Sequence, residues 1–224
     1  MDKISIFWFR RDLRLHDNVA LFNALKSGEK VLPIFIFDTS ILDKLPKNDA
    51  RVSFIIKELR SMNEHLKSFD ASIDIYHGKP IEVFESLIKK YPIASVFTNH
   101  DYEPYAKARD EKVASFLNEN HIEFKTFKDQ VVFEKSEIVK KDGKPYMVYT
   151  PYMKLWKATF RTLDLKDFPS EMVLKNLIPT TNLPNLSLSD IGFIKSQQEI
   201  KPYLVTSSLI QNYEATRNFP SQDS

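Results

Sequence analysis

The sequence contains no cysteine, which excludes disulfides, thiolate metal sites and a cysteine nucleophile. Glycine is nearly as scarce. Gly28, Gly78, Gly143 and Gly192 are the full set, and none lies in the loop after the first apolar segment. A phosphate-cradling loop needs glycine there, so that backbone N–H groups can approach the anion. Nucleotide binding by that route is therefore disfavoured from the outset. No apolar run approaches the roughly 20 residues of a membrane helix. The first strand starts almost at Met1, so no signal peptide is expected and the cytoplasm is the expected address. Neither sign of charge prevails: a net charge of +2 is too balanced to mark a nucleic-acid surface on this chain alone.

What is present is ordinary globular material. Apolar residues make up 42% of 224 residues, enough for a sizeable core in one large domain, or in one domain plus part of another. Ile4 to Phe9 is a nearly continuous apolar run, as expected of a strand covered on both faces. Asp17 or Asn18 can cap a helix reaching about Lys26, with Gly28 ending it. Lys30 to Phe37 reads as a second buried strand that stops at Asp38, although Pro33 weakens a regular ladder there. Asn48 or Asp49 can cap a long helix with Val52, Ile55, Leu59, Met62 and Leu66 along one stripe. Ala71 to His77 is expected as the third strand, and Pro80 opens a helix with Ile81, Phe84 and Leu87 or Ile88 inward. Ile93 to Thr98 is the fourth strand, Pro104 opens the next helix with Val113, Phe116 and Leu117 inward, and Ile122 to Phe127 is the fifth strand.

Strands alternating with helices predict a parallel sheet with right-handed crossovers. The expected fold is α/β: a doubly wound five-stranded parallel sheet with helices on both faces, Rossmann-like. Residues 1–130 form its core and 131–164 a C-terminal extension, with a tight turn at Asp142-Gly143 and a helix from the PYMVYTPYMKLWKATF stretch. Residues 165–197, rich in Pro, Ser, Asn and Leu without period, read as an interdomain linker. Residues 198–224 read as the truncated start of a helical domain.

In such a sheet ligands sit beyond the carboxyl ends of the strands, where strand order reverses. Two charged loops flank that point. The first is RRDLRLHDN after the first strand; the second is NHDYEPY, Asn99 to Tyr105. Arg10, Arg11 and Arg14 can pair bidentately with carboxylates such as Asp12, Asp17, Asp101 and Asp110 and brace the loops. His16 reads as exposed or hydrogen-bonded. In the second loop, Asp101, Tyr102, Glu103 and Tyr105 combine aromatic surface with carboxylates, which suits a planar heterocycle with polar edges. A loop followed by a solvated helix face, with Arg109 and Asp110 at its start, is equally compatible. Phe54 is expected in the core, Arg51 in the crevice or in a surface salt bridge, Trp8 in the strand core, and Trp156 with Tyr146, Tyr149 and Tyr152 under the linker. No metal-ligand spacing and no nucleophile–base pair is legible.

WFRRDLRLHDN resembles the N-terminal signature of the photolyase/cryptochrome family. FDTSIL, RVSFIIKEL, NHDYEPYAKARD, DGKPYMVYTPYMKLW and NYEATRNFP follow in the family's order and extend the resemblance over residues 1 to 220. As a set they are more similar to a bacterial class I cyclobutane-pyrimidine-dimer photolyase than to a plant-type cryptochrome. The resemblance implies an α/β domain that holds an antenna chromophore: a reduced folate, an 8-hydroxy-5-deazaflavin or FMN. It also implies a C-terminal helical domain that holds FAD and the lesion in UV-damaged DNA, where excited reduced FAD donates an electron that splits the dimer. This chain is expected to stop before that domain, to carry no catalytic residue, and to show no repair activity by itself. Tyr213 matches a tyrosine near the flavin. Folate-binding members carry an Asn-Glu pair where this chain has Tyr105 and Ala106, which implies a deazaflavin-type antenna over a folate. For that ring the resemblance carries over to Ile36, Phe37, Asp38, Arg51, Asp101 and Glu103. It gives Arg10, Arg11, Asp12 and Arg14 to the crevice and the seam with the helical domain. No membrane and no metal partner is implied. The alternatives are a cryptochrome-type signalling module and a nucleotide-binding module of the same topology.

Overall fold

The computed structural model describes residues 2–179, 186–198 and 204–219. Among them, five parallel strands form one sheet: β1 (Ile4–Phe9), β2 (Lys30–Asp38), β3 (Asp74–Gly78), β4 (Ile93–Asn99) and β5 (Glu123–Phe127), in the order β3-β2-β1-β4-β5. The order reverses between β1 and β4. Helices α1 (Val19–Leu25), α2 (Thr39–Leu42) and α3 (Ala50–Leu66) connect β1 to β2 and β2 to β3; α4 (Pro80–Lys90) carries the chain across the reversal from β3 to β4, and α5 (Pro104–Glu119) connects β4 to β5. Because every crossover is right-handed in such a sheet, the reversal sends the two sets to opposite faces.

The strands read as unbroken apolar runs because both faces are covered. Phe7, Phe9, Phe35 and Phe37 pack with Leu21, Leu25, Leu59 and Leu66 of α1 and α3. Their neighbours Ile6, Trp8, Leu32 and Ile34 pack with Phe84 and Leu87 of α4 and Val113 and Leu117 of α5. Period-two alternation divides each strand between the two cores.

Local chemistry sets the element ends. Asn18 caps α1, its side chain accepting from Leu21 N–H at 3.1 Å. Asp49 caps α3 in the same way, accepting from Arg51 N–H at 2.9 Å. Pro33 stays inside β2 because the β3 ladder begins only at Ile34, one residue beyond it. The third strand starts at Asp74 and not at Ala71. The residues before it are tied to α3 instead: Ala71 N–H donates to Leu66 O at 3.2 Å, and Ile73 N–H to Asn63 Oδ1 at 2.7 Å. On α3 the buried stripe runs through Ile56 where Ile55 was expected, and Phe54 is 38% exposed and not in the core.

Beyond β5 the chain crosses the carboxyl end of the sheet and turns at Gly143, where Gly143 N–H donates to Lys140 O at 2.9 Å. It then enters α6 (Tyr149–Arg161), all of whose described side chains are at least partly exposed. There Trp156 stacks on Phe160 at 5.0 Å and meets Phe133 edge-on at 5.4 Å.

The described residues of the aperiodic segment that follows lie as a strap against the α1/α3 face. Leu174, Leu177, Ile191 and Phe193 are buried in that core. Ile178 N–H donates to Val31 O at 2.9 Å, and Asn176 Nδ2 donates to Leu25 O at 2.8 Å. Helix α7 (Ser207–Thr216) starts where Thr206 Oγ1 accepts from Leu209 N–H at 3.3 Å; part of the helix expected over 198–217 lies outside the described residues.

Candidate functional site

The reversal between β1 and β4 is where an α/β sheet ordinarily receives a phosphate, against the unpaired N–H groups that start the next helix. Here those groups are taken by the chain's own side chains. Val19 N–H donates to Asp129 Oδ1 at 3.1 Å, Ala20 N–H to Asn99 Oδ1 at 3.0 Å and Leu21 N–H to Asn18 Oδ1 at 3.1 Å. Asn99 Nδ2 donates to Asn18 Oδ1 at 2.9 Å and also to the Asp12 carboxylate. Asp12 Oδ1 in turn accepts from Arg10 N–H at 2.8 Å. Asp129 has a fully buried side chain and pairs with Arg14 Nη2 at 2.7 Å. A tethered carboxylate thus stands at the start of α1, and the glycine-free first loop is its sequence counterpart.

The charged loop is a brace. Arg10 reaches Asp110 of α5 through two contacts of 2.6 and 2.7 Å and also donates to the carbonyl of Asn99. Burial lowers the Arg10 pKa, with Asp110 opposing and the Arg109 charge adding to the effect. Arg11 is different: it is largely exposed and stands 3.8 Å from Asp101 and 3.7 Å from Glu103.

Beside this brace lies a cavity of about 490 Å³. Its floor is apolar, formed by Trp8, Phe35, Ile36 and Phe37 from β1 and β2, with Leu42, Leu45 and Ile55 closing one side. Its rim is polar. Asp38 caps α2, accepting from Ser40 N–H at 3.0 Å, and also accepts from the Tyr105 hydroxyl. Burial, then the Asp38 contact, raises the Tyr105 pKa above its ordinary value. Asp101 and Glu103 complete the rim from the loop after β4. Arg109, with a side chain 10% exposed, lies with its guanidinium 5.0 Å from the centre of the Trp8 ring. Its Nε donates to Asp110 Oδ1 at 2.9 Å. Its Nη2 is 2.8 Å from the same oxygen, off the hydrogen-bonding direction, and has no hydrogen-bond partner among the described residues.

Of the residues singled out from the sequence, Ile36, Phe37, Asp38, Asp101 and Glu103 meet at this cavity. Arg51 does not join them. Its guanidinium turns back onto Asp49, at 2.7 and 3.0 Å, and its side chain is 72% exposed. The helix cap holds it: Asp49 accepts from both the backbone and the side chain of Arg51. Tyr213 stands 54% exposed on α7. Sequence reasoning missed Arg109 as a cavity residue, although Tyr105 and Arg109, four apart on α5, share one helix face.

A second polar cluster caps the β4–β5 edge. Glu134 accepts from the His100 ring and from the Tyr102 hydroxyl, the latter at 2.9 Å. Burial works against the charged Glu134, yet the His100 and Tyr102 contacts prevail and its pKa is lowered; burial and Glu134 together raise the Tyr102 pKa. Among the described residues, no group of three or more His, Asp or Glu is placed to hold a metal ion, and no helix is long and apolar enough to cross a membrane.

The family model for DNA photolyase matches residues 5–173, from the first strand into the strap. The chain belongs to the DNA photolyase family. It is 30% identical over 241 aligned residues to a deoxyribodipyrimidine photo-lyase of Alkalihalophilus pseudofirmus, covering 98% of this chain and 49% of that protein. An archaeal photolyase from Sulfolobus tokodaii superposes with a TM-score of 0.59 at 26% identity, covering 77% of this chain and 41% of that one. A bacterial class III photolyase from Agrobacterium tumefaciens shares the fold with a TM-score of 0.64 at 24% identity, over 96% of this chain and 42% of that one. The chain thus spans about half the length of the photolyase relatives it matches.

Proposed function

We propose that this chain is the light-harvesting part of a deoxyribodipyrimidine photo-lyase, and that the cavity beside Trp8 holds a flavin-type antenna chromophore, 8-hydroxy-5-deazaflavin in preference to a reduced folate. The observation that carries this reading is the cavity itself. At about 490 Å³ it falls within the ~300–1,000 Å³ of small-molecule sites, and its apolar floor under a polar rim suits a flat ring with hydrogen-bonding edges. The Sulfolobus photolyase was solved with two FAD molecules and an implied light-harvesting cofactor, which supports a flavin-type ring in a relative of this fold. When bound, such a ring absorbs near-ultraviolet or blue light and passes the excitation on.

The chain's own residues do the holding. Ile36 and Phe37 offer a flat apolar surface, and Asp38, Asp101 and Glu103 offer acceptors for ring or side-chain donors. A folate has less support. Ala106 is buried and carries no polar group, and the Tyr105 hydroxyl is committed to Asp38. In this reading Arg10, Asp12 and Arg14 organise the crevice, Arg11 faces the seam with a helical FAD domain, and Tyr213 belongs to the approach to that domain. Damaged DNA and electron transfer to it lie with that domain, and this chain alone performs no light-dependent dimer repair.

Titrating the purified chain with 8-hydroxy-5-deazaflavin, FMN, FAD and a reduced folate, followed by absorbance and equilibrium dialysis, tests the reading. The deazaflavin is expected to bind most tightly, and Asp101→Ala to weaken it about tenfold, the worth of one hydrogen bond to a charged group. Tightest binding by the folate, or unchanged binding in Asp101→Ala, overturns the assignment. Dimer repair by the illuminated chain overturns the division of labour.

A further inference from the structure

Resting on the antenna reading above, we infer that the second half of the strap is a positioning element of the cavity: Phe193 and Ser196 fix the wall that carries Leu45 and Ile55, so that a bound ring and a seated strap stabilise each other.

The wall needs support from outside. Leu42 and Leu45, at and just beyond the end of α2, close one side of the cavity together with Ile55 of α3. The stretch between them is held by local turns. Leu45 N–H donates to Leu42 O at 3.0 Å, and Asp49 N–H to Pro46 O at 3.0 Å. Neither bond ties the stretch to another element. The strap supplies that tie without lining the cavity itself: Ile194 N–H donates to Lys47 O at 2.9 Å, and Ser196 N–H to Ser53 Oγ at 3.0 Å. Lys47 lies two residues past Leu45, and Ser53 two residues before Ile55. Each wall side chain therefore stands beside a strap bond.

The local fold of the strap aims it at these partners. A short turn at Ser189–Ile191 ends at Gly192, whose φ of +73° redirects the chain, and Phe193 N–H donates back to Leu188 O at 2.8 Å. Ile191 and Phe193 are thereby buried in the core that includes Leu42, and Leu45 and Ile55 pack against that core. Lys47 Nζ lies 4.9 Å from the centre of the Phe193 ring, a second hold on the same loop residue. The first half of the strap is anchored elsewhere. Its bonds to Val31 O and Leu25 O lie toward the amino end of β2, whereas the cavity begins at Phe35.

A wall that is seated only part of the time weakens ring binding in proportion to the time it is released. The coupling is reciprocal: a bound ring holds the strap down by the same factor by which the strap improves binding.

The test joins equilibrium dialysis of 8-hydroxy-5-deazaflavin and FMN to amide hydrogen exchange. Phe193→Ala and Ser53→Ala are each expected to weaken ring binding, Phe193→Ala by about fivefold to tenfold. Leu174→Ala, in the same core but on the first half of the strap, is expected to lower stability and leave affinity unchanged. Saturating ring is expected to slow exchange at Ile194 and Ser196 of wild type, and not at Ile178. The wild-type exchange and Ser53→Ala decide the matter if Phe193→Ala does not fold. Unchanged affinity in both Phe193→Ala and Ser53→Ala, an equal loss in Leu174→Ala, or equal slowing at Ile178 overturns the inference and leaves the antenna reading standing. Failure of wild type to bind either ring overturns both.

Discussion

Asp129 Oδ1 stands 2.7 Å from Nη2 of Arg14 and 3.1 Å from the N–H of Val19, in a side chain with no solvent access. Two contacts meet in that one oxygen, from a loop arginine and from the start of α1, and tie both to the chain beyond β5. Replacing Asp129 with alanine removes both and strands the α1 N–H. An unfolding loss of about 2 kcal/mol is expected, below the ~3–5 kcal/mol of a fully buried broken pair because Arg14 is partly exposed. Urea denaturation measures it. Because the α1 N–H groups are already satisfied, ATP added to wild type is expected to give no saturable signal.

Burial, and not the count of arginines, decides which ion pairs matter. Arg10 is 7% exposed and grips Asp110, whereas Arg51 is 72% exposed and grips Asp49 over a similar distance. Arg10→Ala is expected to cost about 3 kcal/mol, since it leaves Asp110 short of a partner in a dry seam. Arg51→Ala is expected to change stability by no more than ~0.5 kcal/mol. A double-mutant cycle through Asp110→Ala separates the two cases: a coupling near zero for Arg10 and Asp110 refutes the brace.

The strap makes a prediction that a free linker would not. Leu174 and Leu177 are buried in the α1/α3 core. Truncating either to alanine is expected to destabilise the chain by ~2–4 kcal/mol, as for any core leucine. Alanine in place of the exposed Leu165 or Met172 is expected to be close to neutral. Thermal melts of these four variants distinguish the groups.

The Glu134 cluster predicts the acid limb of the stability profile. Its pKa is lowered on folding, burial notwithstanding, because His100 and Tyr102 hold the charged form. A group depressed in this way stabilises the fold above its unfolded pKa and loses that contribution as pH falls through the folded value. The window is therefore the carboxylate range and below. Tyr102 has the opposite sign: its raised pKa favours the fold below the ordinary tyrosine value and ceases to do so as pH climbs above it. Glu134→Gln is expected to flatten both limbs, read from denaturation midpoints across pH. A profile identical to wild type sinks this account.

The sheet was legible because burial on both faces leaves long apolar runs, and because helix stripes repeat on a fixed period. The Asp74 start of β3 was not legible. Ala71 and Ile73 are apolar and read as strand, but the Asn63 amide and the end of α3 claim their N–H groups. Phe54 read as core because an aromatic on a helix usually is, yet the register of α3 gives the inward place to Ile56. The strap had no period to read, since a chain lying across a face buries single residues as contact allows. At the cavity, residues on β2 and in the loop after β4 could be named from position in the fold, whereas Arg51 and Arg109 exchanged roles. A capping carboxylate two residues before Arg51 drew it outward, and the Trp8 face with Asp110 drew Arg109 inward.

The carboxylate at the start of α1 also bears on how this domain responds to its surroundings. In a sheet whose crevice is filled by a diffusible anion, folding is coupled to that anion by mass action, and the fold weakens when the ligand is scarce. Asp129 is covalently attached, so its local concentration never changes. The crevice is therefore held shut at every metabolite level, and ligand-dependent stabilisation is left to the cavity beside Trp8.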